Sequence, residues 1–241
     1  MNNLLWVALP YVALVSLIAG LVWRYRYDRF GWTTRSSQLY EHQVLRWASP
    51  AFHYGILFVL AGHLVGLFIP ASWTGKARIS EHVYHLFSLF GGTAAGVLTV
   101  AGIGALIWRR RTKGAVFLAT TRNDKLMYVF LLASICLGMW AKLAHSTIGD
   151  GYDYRHTVAL WVRSIFSFNP QPHRMQGVPT AYQVHVVVGM LLVGLVPYTR
   201  LVHMFSAPVQ YLFRPYILYR SREPQVLAES RSRRGWEGIG S

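Results

Sequence analysis

Four histidines stand in apolar surroundings at two spacings. His53 and His63 bound the stretch FHYGILFVLAGH, ten residues apart; His185 and His203 bound HVVVGMLLVGLVPYTRLVH, eighteen apart. An imidazole is costly in hydrocarbon unless it finds a partner. A neutral ring has one nitrogen that donates and one that accepts, so it can bridge helices, relay a proton or ligate a metal. One such histidine alone leaves these three chemistries open. Four of them, two in each of two segments, call for a common explanation.

The elements that position them are transmembrane helices. Slightly more than half of the 241 residues are apolar, and only 14% are charged. Runs at 4–23, 47–69, 82–108, 126–141 and 179–199 carry no charged side chain. A helix crosses a bilayer core with about 20 apolar residues, and about 17 suffice. The fourth run is short, and Lys142 at its end can snorkel toward the interface. The fold class expected is therefore an all-α integral membrane protein with five transmembrane helices. The spans lie at about 4–23, 47–69, 82–108, 126–142 and 179–207, within one domain over 1–213, followed by a basic cytoplasmic tail at 214–241. The first span reads as a retained anchor: MNNLLW has no basic leader, and WRYRYDR follows it in place of a small-residue cleavage site.

The net charge of +15 is not a nucleic-acid signature here. Eighteen of the 24 Lys and Arg residues follow spans one, three and five, on one side of the membrane. The positive-inside rule then puts the N-terminus outside and the C-terminus in the cytoplasm. The excess charge is explained by topology and by attraction to anionic lipid.

That topology pairs the histidines. Spans two and five run in opposite directions, so His53 and His203 both lie toward the inner face, and His63 and His185 toward the outer face. Each pair can supply both axial ligands of one haem b between two helices. Crossed pairs would join opposite leaflets, and two rings on one helix cannot bracket a macrocycle. By helical rise the ligands are about 15 Å apart on span two and about 27 Å on span five. Eighteen residues are five full turns, which puts His185 and His203 on one face, and Pro197 between them predicts a kink. In span two the two ring directions differ by roughly 80° at about 100° per residue. Gly55, Gly62 and Gly66 line that span and admit either close helix packing or a flat ring against the backbone.

Other features are less specific. In ASPAFH, Ser49 can cap span two with Pro50 in its first turn, which places His53 there too. Between spans four and five, TVALWVRSIFSF reads as an amphipathic helix covering the outer end of the bundle, and NPQPH breaks it. His82 and His85, with Glu81 and Tyr84, begin span three near the expected level of the outer pair. With Gly62 they are candidates for a quinol head-group site, against the alternative of an interfacial cap. His42 and His173 read as loop residues, and His145 and His156 lie near the outer boundary. The polar TTRSSQ of the inner loop reads as ordered against another element. The single cysteine, Cys136, supports no disulfide, thiolate zinc site or iron–sulfur cluster, and is expected to pack as a small hydrophobe.

The motifs FHYGILFVLAGHLVG and HVVVGMLLVGLVPYTRLVHMFSAPVQYL resemble those of the gamma (cytochrome b) subunit of respiratory nitrate reductases. The matches fall at His53, Gly62, His63, His185, Arg200, His203, Ser206, Pro208, Tyr211 and Leu212. Flanking similarity in RSSQ, FGGTAAGVL and ATTRND extends the likeness over most of residues 1–220. It implies five spans, an outer N-terminus and two haems b, ligated by His53 with His203 and by His63 with His185. It also implies oxidation of menaquinol or ubiquinol near the outer haem, in a bacterial or archaeal cytoplasmic membrane. Electrons would pass to an iron–sulfur beta subunit and then to a molybdenum alpha subunit that reduces nitrate. This chain, with no ligands for molybdenum or iron–sulfur centres, would not reduce nitrate alone. Arg200, one turn from His203, could pair with a haem propionate or serve as an inner-face anchor. Two alternatives remain at this point: a dihaem subunit of another quinone-linked complex, such as a heterodisulfide-reductase-like one, or a haem-free transporter using histidine proton relays.

Overall fold

The structure, a computed structural model, describes residues 2–28, 32, 40–146 and 152–205. The tail at 214–241, the TTRSSQ loop, and Ser206, Pro208, Tyr211 and Leu212 lie outside these residues, as does the side chain of His145. Among the described residues every regular element is helical. Five helices among the described residues are long and apolar enough to cross a membrane, at Leu4–Tyr27, Leu45–Phe68, Glu81–Thr112, Arg122–Ala144 and Thr180–Tyr198. Only 11% to 22% of the most apolar stretch of each is buried in the bundle, so most of that surface faces outward, as lipid solvation requires. The protein is an all-α integral membrane protein.

The helices are α1 (Leu9–Tyr27), α2 (Leu45–Phe68), α3 (Ala71–Lys76), α4 (Glu81–Thr112), α5 (Gly114–Leu118), α6 (Arg122–Ser146), α7 (Val158–Phe166) and α8 (Thr180–Leu195). Arg24, Arg26 and Arg109–Arg111 sit at one end of the bundle, here the basic end. The connection carrying α7 covers the other, here the loop end.

A π-helical turn at Leu4–Ala8 leads into α1. Its cause is Pro10, which has no amide hydrogen for the Trp6 carbonyl four residues back. That carbonyl instead accepts the indole N–H of Trp161 on α7, at 2.9 Å. The two Trp rings meet edge to face, 5.7 Å apart, in a buried cluster with Val158, Ile165, Met175 and Val178. The amphipathic α7 is thereby tied down onto the loop end.

Helices α2 and α4 approach closely because glycine removes the side chain at their contacts. A Cβ on Gly55 would lie 2.5 Å from Thr99 Oγ1, and one on Gly102 would strike the Phe52 backbone. Gly66 likewise makes room for the Tyr154 hydroxyl, whereas Gly62 has no atom within 4 Å of its would-be Cβ. The three glycines of α2 therefore divide: Gly55 and Gly66 serve close packing, and Gly62 faces open space.

Several local expectations are corrected. Helix α2 begins at Leu45, so Ser49 is not its cap and Pro50 lies inside it. The start is secured upstream, where the Glu41 carboxylate accepts the Val44 amide at 2.8 Å. His53 consequently lies in the third turn. Cys136 is exposed on the bundle exterior and does not pack in the interior. Lys142 does not snorkel: its Nζ donates to Ser88 on α4 at 2.9 Å, with Gly92 leaving the space for its chain. The stretch after α8 does not continue as a kinked helix. It becomes a 3₁₀ turn at Val196–Tyr198, is extended at Thr199 (φ −122°, ψ −179°), and resumes as 3₁₀ at Arg200–Phe205.

Candidate functional site

That break reconciles the two histidine spacings. From His185 to the end of α8 at Leu195 is ten residues, about 15 Å of rise and equal to the span from His53 to His63. The remaining eight residues, with Thr199 extended, bring His203 to the level of His53. Same-face periodicity over eighteen residues, the sequence expectation, does not apply through this break.

The structure brings His53 to His203 with ring centroids 6.1 Å apart and planes 68° apart, and His63 to His185 at 6.0 Å and 45°. All four rings are oriented alike. His53 Nδ1 lies 2.7 Å from the Ser49 carbonyl oxygen, and His63 Nδ1 lies 2.8 Å from that of Val59. His185 Nδ1 lies 3.0 Å from the Ser134 carbonyl oxygen, and His203 Nδ1 lies 2.5 Å from that of Arg200. A carbonyl only accepts, so each Nδ1 must donate, and the lone pair of each neutral ring is left on Nε2. A backbone oxygen behind the ring is the usual support for a metal-ligating histidine, fixing tautomer and orientation together.

The pairs fit a metal held from two sides. Metal–imidazole bonds run about 2 Å, so two rings on opposite sides of one ion have centroids about 6 Å apart. Among the described residues no three His, Cys, Asp or Glu side chains converge as a metal-binding group. Two-ligand sites suit a metal whose remaining positions are filled by a macrocycle. His53 and His203 also line a cavity of about 500 Å³, within the range of cofactor pockets. Arg46, Arg109, Arg110 and Arg200 contribute to its wall, matching a ligand with carboxylate groups at its edge.

These arginines differ in what they already hold. Arg200 grips Asp124 with a fork, Nε to Oδ1 at 2.5 Å and Nη2 to Oδ2 at 2.7 Å, while its own carbonyl receives the His203 ring. Asp124 is itself fixed by a capping box at the start of α6: its amide donates to Thr121 Oγ1 at 3.1 Å and its carboxylate accepts the Thr121 amide at 2.9 Å. Arg109, 1% exposed, bonds Glu41 through both the carboxylate and the carbonyl, each at 2.5 Å. Burial raises the Glu41 carboxyl, but the Val44 amide and the Arg109 guanidinium outweigh it and hold it below the usual carboxylate range. Arg110 donates to Tyr128 at 2.8 Å and Thr120 at 3.1 Å, and Arg46 lies over the Trp47 ring. The T-x-x-D spacing in TTRND is the signal that could have found this capping box; nothing in the sequence marks the Arg200 partner 76 residues away.

At the loop end, His82 and His85 are exposed, and Gly62 is exposed beside His63. Tyr84 turns inward: its hydroxyl is 3.5 Å from that of Tyr154, and Arg155 stacks on its ring at 4.0 Å. Arg155 is buried and also bonds Glu81 and Thr74, both at 3.1 Å. Sequence reasoning missed Tyr154, Arg155 and Ser134, since nothing in a loop tyrosine or a helix carbonyl marks it in advance. Gly138 was also missed: its Cα face lies against the His185 ring.

The family described as nitrate reductase gamma subunit matches residues 2–222. The chain is 54% identical over 237 residues to the nitrate reductase-like protein NarX of Mycobacterium tuberculosis, covering 98% of this chain and 36% of that protein. The chain thus spans about a third of the length of this relative. It is 38% identical to the nitrate reductase gamma chain of Bacillus subtilis, over 92% of this chain and 99% of that one. It is 33% identical to the respiratory nitrate reductase 1 gamma chain of Escherichia coli, over 88% and 94%.

Proposed function

Because the chain belongs to the nitrate reductase gamma subunit family, we propose that it is the membrane-anchor, dihaem cytochrome b subunit of a respiratory nitrate reductase. His53 and His203 hold one haem b, and His63 and His185 hold the other. When bound, the two haems carry single electrons between the loop end, where quinol is oxidised, and the basic end. In the cytoplasmic membrane the basic end faces the cytoplasm and the N-terminus faces outward, by the distribution of Lys and Arg. The partners are a cytoplasmic iron–sulfur beta subunit and a molybdenum alpha subunit where nitrate becomes nitrite.

The observation that carries this reading is the shared orientation of the four rings. Each is anchored through Nδ1 to a backbone carbonyl, and each meets one partner ring across about 6 Å. A histidine relay takes a proton in at one ring nitrogen and passes it out at the other, and a backbone carbonyl behind each Nδ1 carries no proton onward.

The chain's own residues do the positioning. Carbonyls of Ser49, Val59, Ser134 and Arg200 hold the rings, and the arginines around the basic-end cavity supply charge for propionates. Arg200 acts first through its carbonyl on His203, with its guanidinium engaged by Asp124. Gly62, His82, Tyr84 and His85 remain the candidates for the quinol site. Releasing quinol protons outside while electrons move inward stores energy, at about 2.3 kcal/mol per charge per 100 mV.

The test is a reduced-minus-oxidised visible spectrum with a pyridine haemochrome assay on the purified complex. Two haems b per chain are expected. His63→Ala and His185→Ala should remove the same one, and His53→Ala and His203→Ala the other. Absence of a b-type α-band, or different haems lost within a pair, overturns the assignment.

A further inference from the structure

The 3₁₀ turn at Tyr154–His156 is wedged between the loop ends of α2, α3 and α4. Its Tyr154 hydroxyl stands where a Cβ on Gly66 of α2 would be. Its Arg155 side chain is buried and grips the other two helices. Nη2 donates to Thr74 Oγ1 on α3 at 3.1 Å, and Nη1 donates to Glu81 Oε2 at the start of α4, also at 3.1 Å. The guanidinium carbon lies 4.0 Å from the centroid of the Tyr84 ring. The turn itself is closed by the Asp153 carboxylate, which accepts the Arg155 amide at 2.8 Å. Partners 74 and 81 positions away in the chain thus meet at one side chain.

What Arg155 fixes is the rotation and level of the first turn of α4. Glu81 and Tyr84 are three residues apart, on one side of that helix. Holding both sets where the helix presents His82 and His85, which are exposed. On α2, Gly62 and Gly66 are four residues apart and share a face. Tyr154 fills the position over Gly66, while the position over Gly62, beside His63, is open. The turn therefore bounds the open stretch of α2 on its loop side. Stability alone is a poor reason for this arginine. Its Nε is buried and meets no acceptor among the described residues, and apolar side chains of the same volume often replace a buried ion pair without loss.

We propose that Arg155 is the positioning residue of the quinol site, holding the Tyr154–His156 turn and the first turn of α4 in register around the open face of Gly62. This rests on the quinol-oxidising reading above. Arg155 does not touch the quinol; it acts through His82, His85 and the wall that Tyr154 forms. The exposed imidazoles can take up protons that a quinol gives up, provided they are held within hydrogen-bond reach of it. That reach is what Arg155 sets. A guanidinium suits the task because it is planar and always charged, donates to two partners from one rigid fork, and stacks on an aromatic ring at the same time. A lysine offers a point charge on a flexible stem, with no plane to lay against Tyr84.

The test follows the haem α-band of the purified complex in a rapid mixer over a range of menadiol concentrations, with dithionite as the quinol-independent reductant. Arg155→Lys should raise the menadiol concentration that gives half the limiting rate about tenfold, since a displacement of about 1 Å is enough to spoil a binding geometry. Thr74→Val removes one of the two hydrogen bonds and keeps the shape, and should raise that concentration about threefold. Both variants should keep two haems per chain and the wild-type rate with dithionite. A merely structural arginine would lower the thermal midpoint or the haem content and leave the half-saturating concentration alone; that result overturns the proposal. A wild-type half-saturating concentration in both variants overturns it too. Should Arg155→Lys fail to assemble, Thr74→Val decides in the same way. A wild-type complex that dithionite reduces and menadiol does not removes the quinol reading, and the role of Arg155 with it.

Discussion

The His185 ring lies so close to Gly138 that a methyl group there would sit 2.8 Å from Cε1 and 3.2 Å from Nδ1. The same Nδ1 donates to the Ser134 carbonyl one turn earlier on α6. Helix α6 therefore supplies both the anchor for this ring and the space it occupies, and the space depends on the absence of a Cβ.

Gly138→Ala should force the ring off the Ser134 carbonyl and disturb only the loop-end pair. The expected result is a haemochrome content falling from two toward one per chain, with the basic-end signal intact. Gly104→Ala is the control, since nothing lies within 4 Å of its would-be Cβ; it should leave both haems and gain about 0.5–1 kcal/mol of helix stability. Two intact haems in Gly138→Ala would show that the ring can relocate freely.

Trp161 and Pro10 form a testable pair. Trp161→Phe removes the indole donor to the Trp6 carbonyl and should destabilise the loop end by about 1–3 kcal/mol. Pro10→Ala returns an amide to that carbonyl, so in the Trp161→Phe background it should recover part of the loss. Thermal unfolding of the four proteins gives the coupling. Additive effects would mean that the indole acts by packing alone.

How far the sequence disclosed these features depends on the range of the interaction. Charge-free runs mark five helices because a bilayer core imposes one length on all of them. The alternation of direction brings His53 to His203 and His63 to His185. What stayed hidden was set by contacts distant in the chain. Five-turn periodicity placed His185 and His203 on one face, but Pro197 withdraws an amide, and Gly20 on α1 admits its ring, with a would-be Cβ 2.6 Å from Pro197 Cβ. The chain then turns at Thr199 and does not kink. Lys142 read as a snorkelling end residue because its acceptor, Ser88, is 54 positions away. Ser49 has the composition of a cap, yet Glu41 secures the helix start first.

The fork between Asp124 and Arg200 should decide the order of the basic-end site. Asp124 is 4% exposed, and removing one member of a buried pair costs about 3–5 kcal/mol. Asp124→Leu should therefore lower the thermal stability and release the 3₁₀ turn that carries His203. The expected signature is loss of the basic-end haem with the loop-end haem retained. Asp124→Glu, which keeps the charge, should lose less. Equal loss of both haems would point to global unfolding and count against a local positioning role.

Glu41 and Arg109 make that same cavity sensitive to acid. The folded-state carboxyl is held below its ordinary value. The stabilisation it provides is therefore present above the unfolded-state value and is lost as pH falls through the lowered folded-state value. Once protonated, Glu41 no longer balances the buried Arg109, and the segment carrying His42 and Leu45 at the cavity wall loosens. Wild type should retain the basic-end haem at pH 6 and release it as the solution is taken below the usual carboxylate range. Glu41→Gln, which keeps the shape but not the charge, should already bind that haem more weakly at neutral pH and show a flatter acid dependence. Following the α-band of each haem through an acid titration separates the two ends. An identical titration for wild type and Glu41→Gln would move the acid-sensitive step elsewhere in the bundle.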